Sequence, residues 1–209
     1  MILKVRLSRF VLVGSVALTL PFEPLVAQGR SRAFEPHFKN AGQIGIGWVA
    51  NVPTSYLGFS ALGTTPSILG GLGLYADVKL TTGSPGSEPA FLPDVTPQEA
   101  ELTFGDQLFR DESDWFTVDL ALIYAITPEF ALYGGAGYSE ETHFRQYFDE
   151  SETRGEFGFY WVGDADRTGS RTNVLGGAMM RVTRFTVFQA GGQTNPSGVT
   201  VGLILTLAR

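Results

Sequence analysis

One property narrows the fold of this chain more than any other. Apolar side chains recur at every second position over runs of about ten residues, opposite a face of small or weakly polar ones. Residues 42–51 set Ile44, Ile46, Trp48 and Ala50 against Gln43, Gly45, Gly47, Val49 and Asn51. Residues 70–82 set Leu72, Leu74, Ala76, Val78 and Leu80 against Gly71, Gly73, Tyr75, Asp77, Lys79 and Thr81. The same pattern places Phe116, Val118, Leu120, Leu122, Tyr124 and Ile126 opposite Trp115, Thr117, Asp119, Ala121, Ile123 and Ala125. The last run does so with Val199, Val201, Leu203, Leu205 and Leu207. Successive side chains of a strand point to opposite faces, so each run is a strand with one greasy side.

Four less regular segments, 54–63, 130–143, 172–183 and 185–193, raise the count to eight. Most of these runs approach the ~9–11 residues that a tilted strand needs to cross a bilayer. With eight strands, the tight connections at Thr64–Ser67, Thr127–Glu129 and Thr183–Arg184 fall at one end. The long connections 83–114 and 144–171 fall at the other, with short turns near Val52–Pro53 and Asn195–Gly198. Short turns inside and long loops outside is the outer-membrane arrangement. Residues 156–162 alternate well enough for a ninth strand, but an odd count would separate the chain ends. They are read as a hairpin arm of an external loop.

The competing architecture is a soluble eight-stranded barrel of the lipocalin kind, apolar inside and polar outside. The character of the polar face decides between them. Charged residues make up only 17% of the chain, against ~25% in ordinary soluble domains. The non-greasy faces hold mainly Gly, Thr, Ala and Gln, which suits a narrow interior and not a water-facing exterior. The expected fold is therefore an all-β, closed antiparallel up-and-down barrel of eight transmembrane strands over residues 42–209.

Residues 1–27 have the three parts of a secretory signal: Lys4, Arg6 and Arg9, then the apolar run Phe10–Leu20, then Leu25-Val26-Ala27. That run is too short for a membrane-spanning helix. Residues 28–41 are expected to be a mobile N-terminal segment. Without the leader the chain carries 12 basic and 20 acidic side chains, a formal charge of −8. Such a chain is a poor partner for nucleic acid. With no cysteine it has neither disulfides, a zinc knuckle nor a thiol nucleophile.

ALYGGAGYS at Ala131–Ser139, NVLGGAMMRV at Asn173–Val182 and GVTVGLILTL at Gly198–Leu207 carry a resemblance. Over roughly residues 40–209 the chain resembles the small outer-membrane β-barrel proteins of bacteria. The resemblance implies a barrel in the cell outer membrane, in contact with outer-membrane lipid, lipopolysaccharide and the assembly machinery, and a monomer. It carries over no functional residue. Such proteins commonly end on an aromatic residue, whereas this chain ends Leu207-Ala208-Arg209.

Asp77, Lys79, Asp119 and Arg181 fall on lumen-facing positions. Charges in a narrow interior are costly unless paired, so they are expected to form an internal salt-bridge network that plugs the barrel. His143 stands near Glu140, Glu141, Asp149 and Glu150 without the spacing of an EF-hand or zinc site, and His37 is distant. With Ser139 and an acid, His143 could form a hydrolytic triad, which only geometry can decide. The glycine runs open no helix, so no phosphate cradle is expected. No catalytic residue, cofactor or metal is assigned. Tyr147, Phe148, Phe157, Phe159, Tyr160 and Trp161 concentrate aromatics in an external loop, either as a loop core or as a contact surface. Three functions follow: a structural or surface-interaction anchor with acidic, aromatic loops, a narrow channel or carrier, and a lipid-modifying enzyme. The first leads, because eight strands leave little room for a pore.

Overall fold

The computed structural model describes residues 38, 43–52, 56–64 and 71–208. The leader expected over 1–27 lies outside them, as does the stretch 28–41 apart from Phe38, together with the turns at 53–55 and 65–70. The strands are β1 (Gln43–Val52), β2 (Tyr56–Thr64), β3 (Leu72–Thr81), β4 (Gln107–Ala125), β5 (Phe130–Phe148), β6 (Phe159–Thr183), β7 (Thr186–Thr194) and β8 (Ser197–Ala208). Each pairs antiparallel with the next, and β8 pairs with β1 to close the barrel.

The alternation in sequence is the alternation in space. Ile46, Phe59, Leu74 and Leu120 point outward and are about two-thirds exposed, at 69%, 70%, 65% and 66%. Their chain neighbours Gly45, Gly47, Gly58, Ser60, Tyr75, Asp119 and Ala121 point inward. Within the barrel, closure leaves no free strand edge, so the ladders there satisfy the backbone polar groups without water. At the end with the tight turns the lumen is filled by Phe38, Leu62, Tyr75, Ile123, Tyr133, Leu175, Met179, Val187 and Ile204. Phe38 is fully buried, and its N–H donates to the Pro128 carbonyl at 3.0 Å.

The long connections are shorter than the sequence suggests. β4 begins at Gln107, β5 continues to Phe148 and β6 starts at Phe159, so the true connections are 82–106 and 149–158. Above the barrel rim one face of these strands packs against the 82–106 loop. Apolar alternation lapses there while the β4–β5 ladder continues from below in the same register as far as Arg110. Residues 159–162 pair with Phe148–Arg145 as the start of β6, so the arm is an extension of two barrel strands and no ninth strand exists among the described residues. The ladder skips residues 165–168, where β6 bulges between its partners to His143 and Glu141.

The 82–106 connection folds back over this three-stranded extension. It contains a short 3-10 turn at Pro85–Ser87 and a π-helical turn at Glu99–Phe104. Ala100 is buried against Tyr147, Tyr160 and Val162, with Leu92 and Val95 alongside. At the edge of β6, the Leu92 N–H donates to the Trp161 carbonyl and the Trp161 N–H to the Ala90 carbonyl, both at 2.9 Å.

Candidate functional site

Two places hold the polar residues that matter: a charged row across the lumen, and the extension above the rim. Straight across the ladders from Gly47, the successive partners are Ser60, Asp77, Asp119, Gly137 and Asn173. Register therefore sets two carboxylates opposite each other inside the barrel. Lys79, two residues further along β3 and fully buried, reaches back between them. Its Nζ lies 2.8 Å from Asp119 Oδ2 and also bonds Asp77 Oδ1. One ammonium faces two carboxylates, and neutral donors carry the remainder. Tyr75 donates its hydroxyl to Asp77 at 2.7 Å, and Asn173 Nδ2 donates to both oxygens of Asp119 at 2.9 and 3.0 Å. Gln189 Nε2 extends the chain to the hydroxyls of Tyr75 and Tyr133, at 2.8 and 3.2 Å.

Small residues make room for this row. A Cβ on Gly137 would lie 2.3 Å from Asp119 Oδ1, and one on Gly58 would lie 2.7 Å from the Lys79 Cα. The strand glycines here are clearance for a packed interior. Of the four charges expected in the network, the structure brings Asp77, Lys79 and Asp119 together and leaves Arg181 out. Arg181 faces inward near the tight-turn end, where Nη1 donates to the Arg184 carbonyl at 3.0 Å and Nη2 bonds Gln43. Its guanidinium lies 5.0 Å from the Phe38 ring. Sequence reasoning missed Tyr75, Asn173, Gln189 and Tyr133. All occupy inward positions, but their meeting depends on axial height, which alternation does not encode.

Above the rim, aromatic hydroxyls and arginines tie the extension to the loop over it. Tyr147 donates to Glu101 at 2.7 Å, Tyr160 to Asp106 at 2.6 Å, and Trp161 Nε1 to Glu88 at 2.8 Å. Arg145 bridges Glu101 at 3.0 Å and Asp164 at 2.8 Å. Burial, followed by the hydrogen bond to Glu101, pushes the Tyr147 hydroxyl up to about 12. The Ser151 hydroxyl, backed by Thr153 and backbone N–H groups, holds Asp149 well below the usual carboxylate range. Tyr147, Tyr160 and Trp161 are completely buried, so these members of the aromatic cluster are a loop core and not a contact surface. Phe157 is 80% exposed, and Phe148 and Phe159 are half-buried.

His143 lies opposite Ser113 in the β4–β5 ladder. Ser113 Oγ is 2.9 Å from His143 Nδ1, and His143 Nε2 is 3.0 Å from Glu141. The serine expected to serve His143, Ser139, is buried four ladder pairs further into the barrel. In a hydrolytic triad the serine meets Nε2 and the acid Nδ1. Here the order is reversed and the serine–histidine contact is an ordinary cross-strand pair, so the trio reads as a rim brace. Among the described residues, no three His, Cys, Asp or Glu side chains converge as a metal site.

No protein-family model matches this sequence, and no curated protein does. Among solved structures it is similar to Ail, the attachment invasion locus protein of Yersinia pestis. In the crystal structure identity is 11%, coverage 81% of this chain and 97% of that one, and the TM-score 0.40. In a phospholipid bilayer nanodisc Ail shows 13% identity, coverage of 80% and 99%, and a TM-score of 0.42. A de novo designed transmembrane β-barrel gives 11%, 82% and 99%, and 0.41. A closed ladder wrapped, over the barrel itself, in outward aliphatic and aromatic side chains is suited to hydrocarbon surroundings. The chain is accordingly a closed eight-stranded transmembrane β-barrel.

Proposed function

We propose that the barrel is a closed anchor and that the β4–β6 extension, with the loop folded over it, is the part that works, at the outer surface. The observation that carries this reading is the division of the molecule. The lumen holds an apolar block beneath a buried, hydrogen-bonded charge row. The chain's carboxylates, by contrast, gather above the rim. Residues 82–115 and 140–171 contain sixteen acids and five arginines. Long, structured, acidic elements outside the membrane are suited to contact with other molecules, and an eight-stranded lumen filled by side chains is not suited to transport.

In this reading the protein is a monomer, delivered by the outer-membrane assembly machinery. Its belt contacts outer-membrane lipid, and its rim lies among lipopolysaccharide headgroups. Asp77, Lys79 and Asp119 serve as a plug. Planar-bilayer recording of the purified protein tests this directly. The anchor reading expects a silent membrane under conditions where a heat-modifiable band shows the protein folded. Reproducible unitary steps would replace it with a narrow channel.

A further inference from the structure

The apolar residues of the barrel wall are exposed because lipid covers them, but a second exposed set has no such reason. Leu102, Leu108, Phe109 and Phe157 are 75%, 47%, 58% and 80% exposed. Leu108 and Phe109 at the outer end of β4, and Phe157 in the β5–β6 connection, lie beyond Asp111, Glu112 and Asp114, on the far side of a band of carboxylates that belongs in water. Part of this surface is continuous. The Phe109 and Phe159 rings are 4.9 Å apart, and Phe159 and Phe148 are again 4.9 Å apart.

Phe148 in turn lines a groove of about 410 Å³ between residues 103–107 and 148–154. Its opposite wall carries Phe104, and Asp106, Asp149 and Glu150 surround it. The chain's own Arg154 lies in this groove, its guanidinium 3.7 Å from the centre of the Phe104 ring. Arg154 Nη1 is 3.5 Å from Asp149 and 3.7 Å from Asp106. Both distances exceed the roughly 2.7–2.9 Å of a strong charge-assisted bond. The cation is held by an aromatic face and a negative field more than by a fixed pair, an arrangement that accepts any guanidinium or ammonium.

We propose that the groove and the Phe109–Phe159–Phe148 strip dock a cationic amphipathic peptide segment. A basic side chain of that segment enters beside Phe104 in place of Arg154, and its apolar residues lie along the strip. Charge selects this occupant. Sixteen acids against five arginines above the rim attract a basic partner and repel a sulfated or phosphorylated one. A second copy would bring the same carboxylates face to face. The inference rests on the anchor reading and supplies its partner class.

The test is a binding titration on the full chain in nanodiscs of zwitterionic lipid, which do not themselves attract the probe. The probe is a fluorescent synthetic peptide alternating Lys and Leu, and its controls are the Glu/Leu counterpart and a sulfated disaccharide. The cationic peptide is expected to bind saturably and to weaken several-fold as salt is raised through the screening range. Phe109→Ser with Glu150→Gln, both on exposed side chains, should weaken it about tenfold. Arg154→Gln should strengthen it, because the internal competitor is removed. Preferential binding of either control, binding unchanged in the double variant, weaker binding on loss of Arg154, or no binding at all would each overturn the proposal. None of these results bears on the anchor reading, which conductance decides separately.

Discussion

Lys79 decides whether the lumen of this barrel can exist. Asp77 and Asp119 face each other in register, and among the described residues the cation that reaches both is the Lys79 ammonium. A buried pair contributes little net stability compared with apolar residues of the same shape, yet removing one member strands the other. Lys79→Met should therefore lower stability by about 3–5 kcal/mol. The triple change Asp77→Asn, Lys79→Met, Asp119→Asn should recover most of that loss. Urea unfolding in lipid vesicles, followed by tryptophan fluorescence, reads both, and an undiminished midpoint in Lys79→Met would show that the row carries no such penalty. These three charges were legible in the sequence because parity assigns each to the lumen. Arg181 has the same parity but a different height, close to the Thr183–Arg184 turn, so a rule with period two grouped it with charges it does not meet.

The extension formed by β4, β5 and β6 shows why strands in water are harder to read than strands in lipid. Lipid demands an apolar residue at every outward position, which makes 115–126 unmistakable. Just above it, Arg110 to Asp114 present one base, three acids and a serine, and the alternation disappears although the ladder to Phe144 and Arg145 persists. What holds these strands together is the aromatic set they share with the 82–106 loop. Trp161→Ala should cost about 3–5 kcal/mol, spent locally, since its buried indole donates to Glu88 and lies against the Arg110 guanidinium above the rim. Limited proteolysis should then cut within 82–106 while the barrel fragment still shifts on boiling. Simultaneous loss of the heat-stable band would mean that extension and barrel fold as one cooperative unit. The turn at 149–154 makes a pH prediction. Asp149 accepts from the Ser151, Thr153 and Arg154 N–H groups at 2.9, 3.0 and 3.0 Å, which favours its ionised form. Its folded value lies below the unfolded one, so the turn gains stability above the ordinary carboxylate range and loses it as pH falls through the depressed value. The protection of the amides of residues 151–154, measured against the intrinsic exchange rate at each pH, should fall on acidification, and Asp149→Asn should remove that dependence by leaving protection low at every pH.

Across the whole molecule the sequence separates into two solvents, and this makes the membrane placement testable with two leucines. Leu120 lies mid-strand in β4, paired with Ala76 and Ala136, and is exposed on the outer wall. Leu108 is in the same strand, also exposed, but beyond the carboxylates that mark the rim. A water-soluble barrel would tolerate arginine at both, since a charge on an exposed surface changes stability by less than about 0.5 kcal/mol. Hydrocarbon does not treat them alike. Leu120→Arg should destabilise the folded barrel by about 2–4 kcal/mol, the cost of a cation near the bilayer midplane. Leu108→Arg should remain within the surface range. Comparing the two by urea titration in vesicles uses each as the control for the other, because the residue change and the strand are identical. Equal and small effects would put water around the belt and make this a soluble barrel turned inside out. A large effect at Leu120 alone would put the bilayer edge between the two positions, and with it the carboxylates, the aromatic strip and the groove of Phe104 on the outer aqueous side.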